Sequence, residues 1–371
     1  MADSPASPRS TGVLPSQAIR ALVEAGEIRA ATPPEDGQIQ PASLDLRLGP
    51  LAYRVRASFL PGPGRRVDEQ LKRLSMHRID LTGGAVLEKG CVYIVPLVES
   101  LALRKGTSGA ANPKSSTGRL DIFTRLIIDG GTTFDQVPDG YAGPLYAEIS
   151  PRTFSVLVRA GTRLNQLRLR RGNPTFSRAE LERLHADTAL VDGETAAAPI
   201  SDRGVLFTVD LKGDGALVGY KARAHTDLID LDRIGHYDPL DFWEPIMADR
   251  GPQLILEPDE FYILASREAV TVPPDHAAEM VPYDTLIGEF RVHYAGFFDP
   301  GFGHAGSGGA GSRAVLEVRS HEVPFVIEHG QVVGRMVYER LTARPEKVYG
   351  EGIGSNYQRQ GLQLGKQFRR G

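Results

Sequence analysis

Short runs of residues recur in the same order in the two halves of this 371-residue chain, which points to a fold built from two copies of one strand-rich unit. Leu87-Glu88-Lys89-Gly90 followed by Tyr93-Ile94 is echoed by Leu256-Glu257-Pro258-Asp259 followed by Tyr262-Ile263. Asp139-Gly140-Tyr141 has a counterpart in Pro300-Gly301-Phe302, and Tyr146-Ala147-Glu148-Ile149 in Val315-Leu316-Glu317-Val318. The run from Gly161 to Leu167 is matched by the run from Gly330 to Met336. A glycine turn followed by an apolar strand arises often by chance, but four such matches in one order argue for duplication.

The repeated unit reads as β. Gly and Pro number 41 and 26, and the apolar stretches are short, rich in Val, Ile, Leu and Tyr, and bounded by turn residues. Strands are expected at 92–98, 155–159, 164–169, 254–255, 261–264, 314–318, 324–327 and 332–338. Helices are few. One is expected at 17–25, capped by Ser16 with Ile19, Leu22 and Val23 on one face, and another at 177–186, capped by Ser177 with Leu181 and Leu184 as its apolar face. The acidic, alanine-rich stretch at 192–199 reads as a linker. The expected division is a first domain at 1–190, a linker at 191–203 and a second domain at 204–371.

Composition narrows the function classes. Hydrophobic residues at 41% and charged residues at 24% describe a soluble globular protein, and the length exceeds what one core usually supports. No apolar run is long enough to span a membrane, and the polar, Ser/Pro-rich N-terminus lacks a signal-peptide core, so a cytoplasmic protein without a membrane partner is expected. A net charge of −3 gives no basic footprint for nucleic acid. Cys91 is the single cysteine, which rules out an internal disulfide, and its apolar setting reads as a buried strand position. A zinc deaminase needs His/Cys/Cys or three Cys as ligands, which this chain cannot supply, and its nine His show no helix-spaced ligand pattern. No protein-bound metal is expected.

One polar run stands out against this background. Lys114-Ser115-Ser116-Thr117-Gly118-Arg119 follows Pro113 and gathers an ammonium, two hydroxyls and a guanidinium into one short turn. Such a set of donors suits an oligophosphate, since Arg offers a rigid fork and the serines add neutral donors. The same residues also fit an ordinary polar turn.

Three stretches resemble dCTP deaminase and occur in that family's order: Ile39 to Gly49 (IQPASLDLRLG), Ser115 to Arg119, and the tail from Tyr349-Gly350 through Gly354 to Gly361. The resemblance implies a mainly β chain of two tandem dUTPase-like β-barrel domains with few short helices. It implies hydrolytic deamination of dCTP to dUTP and ammonia without zinc, in the supply of pyrimidine deoxynucleotides. It further implies Mg2+ carried by the triphosphate, dTTP as a possible inhibitor, and a homo-oligomer. A dUTPase-type diphosphohydrolase, a bifunctional deaminase and diphosphatase, and a non-catalytic nucleotide-binding protein remain alternatives.

Departures from the family pattern are complementary. The first copy keeps Ser115, Ser116 and Arg119, with Lys114 where the family has Arg, but carries extra residues around Phe134 to Tyr141. The second copy has lost the hydroxyls and Arg at 281–286, yet keeps Ala295 and Phe298-Asp299-Pro300-Gly301-Phe302 at the family spacing, with Glu317 following after a Gly-rich insertion. The resemblance therefore implies a split site, with Ser115 holding a water, Arg119 supporting Glu317 and reaching the phosphates, and Glu317 ranking above Glu148 as the base. Lys114 and Ser116 would bind phosphate, and Asp299 the deoxyribose 3'-hydroxyl, with Ala295 and Phe302 beside it. Tyr357, Gln358, Gln360 and Lys366 would close over the triphosphate as a C-terminal lid. The acid not used as base is expected to be a solvated strand residue.

Overall fold

Tyrosines in the repeated runs do the same work in each half. The Tyr93 hydroxyl accepts the backbone N–H of Glu88 at 3.0 Å, and the Tyr262 hydroxyl accepts that of Glu257 at 3.0 Å. Between each pair the chain turns through a left-handed residue, Gly90 at φ +76° in one copy and Asp259 at φ +62° in the other. In this computed structural model, residues 9–192, 200–213, 217–248, 251–282, 290–292, 296–307, 311–320, 322–350 and 361–370 are described.

The strands assemble into matching sets. In the first half, strands Gly12–Val13, Arg163–Arg171, Thr107–Pro113 and Gln136–Val137 form one sheet, with Leu44–Arg47 added to Arg163–Arg171. A second sheet runs Ser75–Asp80, Leu51–Val55, Val92–Ala102, Ala142–Pro151 and Ile122–Ile128, with Ile28–Ala30 also on Val92–Ala102. The second half repeats this with Ile200–Ser201, Gly204–Thr208, Val332–Arg340, His276–Pro282 and Phe297–Phe298 in one sheet. Trp243–Met247, Leu217–Ala222, Tyr262–Val270, Ser312–Ser320 and Phe290–Val292 make the other. The architecture is mainly β, and each sheet is an open hydrogen-bonded path among the described residues. Register is conserved between copies: Glu148 lies opposite Ile94, and Glu317 opposite Ile263.

Helices differ slightly from the sequence reading. The first spans Ser16–Glu24 with Pro15 at its cap position, so Ser16 is inside it and makes no cap bond. Arg178–Asp187 is capped as expected by Ser177, whose N–H is also bound by the Glu180 carboxylate in a capping box. Leu181, Leu190 and Val191 pack with Val205, Tyr262 and Leu316, so the second half's core begins before residue 190. Val67–Leu74 is a helix that the sequence reading missed, since Val67 and Leu71 alone are its buried anchors. Cys91 is half-buried at the turn before strand Val92–Ala102 rather than within it. No helix among the described residues is long and apolar enough to cross a membrane.

The halves share a core. Strand Ile229–Asp230, from the second half, adds parallel to Val156–Val158 of the first. Phe242, Trp243, Phe261 and Ile263 then pack with Leu48, Tyr93, Phe154 and Val156 in one buried cluster. The C-terminal segment is anchored here rather than left loose: Gly235 and His236 donate to the carbonyls of Lys366 and Gln367 at 2.9 and 2.8 Å. Phe368 is buried with ring centroids 5.5 Å from Phe242, 5.9 Å from Trp243 and 6.4 Å from Tyr237. Phe368→Ala is therefore expected to destabilise the chain by about 3–5 kcal/mol, read by denaturant unfolding. A midpoint equal to wild type would mean that this end is not part of the core.

Candidate active site

The 114–119 turn owes its shape to strand Arg163–Arg171. The Lys114 N–H and the Thr117 hydroxyl both donate to the carbonyl of Leu164, at 2.8 and 2.9 Å. This fixes a short helical turn, Ser115–Gly118, that leaves Ser115 exposed and Ser116 half-buried. Lys114 forms an ion pair with Asp45, a buried residue of strand Leu44–Arg47. Arg119 is buried and donates from Nη1 to the carbonyl of Gln363 at 2.9 Å, tying the turn to the C-terminal segment.

These residues face the second half across a cavity of about 720 Å³. From the first half, Asp45, Lys114, Ser115, Ser116, Arg119, Arg163 and Gln166 line it. Asp299, Phe302, Glu317, Lys347, Tyr349 and Lys366 line it from the second. Thus Lys114, Ser115, Ser116, Arg119, Asp299, Phe302, Glu317 and Lys366 come together within one chain. Ala295, Tyr357, Gln358 and Gln360 lie outside the described residues.

Charge in the cavity is set by burial. Glu317 is 5% exposed on strand Ser312–Ser320, and desolvation pushes its carboxyl up to about 7. The Arg119 charge opposes that rise, while the neighbouring Asp121 adds to it. That value lies well above the ordinary carboxylate range. Asp299 is pushed up to about 6, again by burial, against the pull of Arg168, whose Nη2 lies 4.0 Å away. One Asp299 oxygen, Oδ1, is buried without a hydrogen-bond partner among the described residues, leaving an acceptor for a donor entering the cavity. Lys366 is held below the usual ammonium range by burial and by the Lys114 charge, a pairing of cations that an anion would relieve.

An aromatic wall closes the second-half side. Phe302 meets Phe298 edge-on at 4.9 Å and Tyr349 at 5.5 Å, and the Tyr349 N–H bonds the Pro300 carbonyl at 2.7 Å. Behind it Arg168 is almost wholly buried, donating to the carbonyls of Ala278 and Phe298 at 2.9 and 3.2 Å and lying over the Phe297 ring. Sequence reasoning missed Arg168, Arg163, Lys347 and the partnership of Asp45 with Lys114. Asp45 left a signal as part of the Ile39 to Gly49 stretch, and Arg163 lies in the repeated run from Gly161 to Leu167.

Glu148 does not line this cavity. Arg125 sits directly opposite it on strand Ile122–Ile128 and donates to Oε1 from Nε at 3.0 Å and Nη2 at 2.5 Å. The same guanidinium lies 3.4 Å from the Phe134 ring centroid. Glu148 is 1% exposed, so the expected solvated strand residue is instead a buried member of an ion pair.

The sequence models of the N-terminal and C-terminal domains of 2'-deoxycytidine 5'-triphosphate deaminase match residues 10–173 and 177–368. A crystal structure of 2'-deoxycytidine 5'-triphosphate deaminase from Agrobacterium tumefaciens is 58% identical, with a TM-score of 0.85 over 91% of this chain and 100% of that one. A "dCTP deaminase, dUMP-forming" from Halobacterium salinarum is 28% identical over 183 residues, 46% of this chain and 85% of that protein. One of the same name from Pseudarthrobacter chlorophenolicus is 30% identical over 142 residues, 36% of this chain and 70% of its own length. With both domain models matched in order along nearly the whole chain, the protein belongs to the dCTP deaminase family.

Proposed function

We propose that this chain hydrolyses the exocyclic amine of dCTP, with Glu317 as the proton-transfer group. The reading rests on one observation: Ser115, Ser116 and Arg119 of the first half line the same cavity as Glu317 and Asp299 of the second. Water adds through oxygen to C4 of cytosine as one of its protons passes to Glu317, which hands it on to N3. Glu317 then takes the proton of the new C4 hydroxyl and passes it to the amino group as the C4–N4 bond of the tetrahedral intermediate breaks, leaving the uracil carbonyl and releasing ammonia. A carboxyl poised near 7 suits both directions of transfer. Ser115 holds the water, Arg119 favours ionised Glu317, and Lys114, Ser116 and Lys366 hold phosphate. Asp299 Oδ1 accepts from the deoxyribose 3'-hydroxyl.

The single cysteine of the chain cannot supply the His/Cys/Cys or three-Cys set of a zinc deaminase, and activation of the water is assigned to Glu317. Mg2+ enters with the triphosphate, held by phosphate oxygens and waters. A second reading is favoured by the name of the relatives, which are called dUMP-forming. Deamination alone ends at dUTP; reaching dUMP takes a second water at the α-phosphate, with release of pyrophosphate.

Incubation with dCTP, following ammonia and pyrophosphate separately, decides between them. Ammonia alone is expected for a dUTP-forming enzyme, and equal amounts of both for a dUMP-forming one. Pyrophosphate without ammonia would reject deamination altogether.

Glu317→Gln should lower kcat by roughly 1,000-fold or more, since one carboxyl carries both proton transfers, while dCTP binding measured by calorimetry persists. Glu148→Gln should lower stability, because it leaves Arg125 facing a neutral partner, and leave kcat of the folded protein near wild type. The reverse outcome would move the base to Glu148.

The pH profile carries a defined sign. Glu317 must be ionised to accept the proton, so kcat/KM is expected to fall as pH drops below about 7 and to level off above it. Because Arg119 favours the ionised form, Arg119→Gln should move that acid limb to higher pH. An acid limb near the ordinary Glu value would argue that another group takes the proton.

A further inference from the structure

We infer that Asp121 and Arg319 form a positioning pair that sets the register of the Glu317 strand against the Arg119 turn. This role rests on the deamination reading above. Asp121 follows Arg119 by two residues at the exit of the turn, and Arg319 follows Glu317 by two residues on strand Ser312–Ser320. Alternate strand residues share a face, so Glu317 and Arg319 are presented together toward the first half.

The contact between them is built to be rigid. Arg319 donates to Asp121 Oδ2 from Nε at 3.0 Å and from Nη2 at 2.5 Å. Thr153 donates its hydroxyl to the same oxygen at 2.6 Å and accepts from Arg319 Nη2 at 2.8 Å. The third guanidinium nitrogen, Nη1, donates to the carbonyl of Asp259, the left-handed residue of the second-half turn. Asp121 is fully buried, and Arg319 is 8% exposed. Two features mark the arrangement as more than packing. Asp121 holds a left-handed backbone, φ +53°, that favours glycine, while its own N–H and C=O bond Gly118 and Arg152 at 2.8 and 2.9 Å. Neither Asp121 nor Arg319 lines the cavity, whereas Arg119 and Glu317 do. What the pair fixes is the separation of the two residues that do, Arg119 and Glu317.

A base displaced by a fraction of an ångström slows proton transfer without loosening a substrate held elsewhere. Lys114, assigned to phosphate, is paired with Asp45 rather than with Asp121. Arg319→Lys keeps the charge and loses the fork; Asp121→Asn keeps the shape and loses the charge. Each is expected to lower kcat for ammonia release by roughly 10- to 100-fold, with KM for dCTP within about twofold of wild type. The double variant is expected to be no slower than the slower single, as for residues acting through one contact. Thr153→Val, a milder change that removes only the bridging hydroxyl, should lower kcat in the same direction at unchanged KM, and covers the case in which the charge variants do not fold. Unaltered kcat in any folded variant, or a full sum of the two single effects in the double, overturns the role. If the wild-type chain releases no ammonia from dCTP, the reaction and this role fall together; if it does and Arg319→Lys retains kcat, the role alone falls.

Discussion

Glu317 takes a counter-charge from the other half of the chain, the Arg119 guanidinium of the turn that lines the same cavity. A buried carboxylate is costly unless a positive group compensates it. The duplicated position in the first half solves the problem locally, because Arg125 stands opposite Glu148 on the adjacent strand and binds it directly. At Glu317 the Arg119 charge reaches across from the first half, and the carboxyl opens onto a cavity. Two residues in equivalent registers have thus acquired different work. One is consumed by structure, and the other is available for chemistry.

Exchange between halves runs in both directions. The first supplies the turn that carries Ser115, Ser116 and Arg119. The second returns strand Ile229–Asp230 to the first half's sheet, Phe242 and Trp243 to its core, and a C-terminal segment whose carbonyls Arg119 binds. Arg119 is the meeting point of these exchanges, since it influences the acid at one end and holds the chain terminus at the other. The position of Lys366 in the cavity follows from the same anchor, because Phe368 two residues later is locked among aromatic rings.

What the sequence made legible is what depends on local offsets. A tyrosine five residues beyond the N–H it caps, or a glycine at a left-handed turn, recurs at fixed spacing and can be counted along the chain. The Lys-Ser-Ser-x-x-Arg run was readable for the same reason: its donors are neighbours in sequence. Contacts set by register and packing were not. Arg125 and Glu148 are 23 residues apart and meet only through strand pairing, so Glu148 looked solvated. Arg168 reaches Glu339 across 171 residues, and Asp121 reaches Arg319 across 198. Nothing in local composition predicts which of many arginines will be buried by such a distant partner.

Burial draws the cavity's ionisable groups toward neutrality from both sides, raising Glu317 and Asp299 and lowering Lys366. A polyanionic ligand acts on them unequally. It favours the charged form of Lys366, against the burial and the Lys114 charge that oppose it, and the same negative charge disfavours ionisation of Glu317. On the deamination reading, a site that takes triphosphate at one end and uses an ionised acid at the other gains from a fixed positive charge beside the acid. A lysine would serve poorly there, because burial and cationic neighbours lower an ammonium's pKa, the direction seen at Lys366. A guanidinium keeps its charge under those conditions, which is the physical reason for an arginine at position 119.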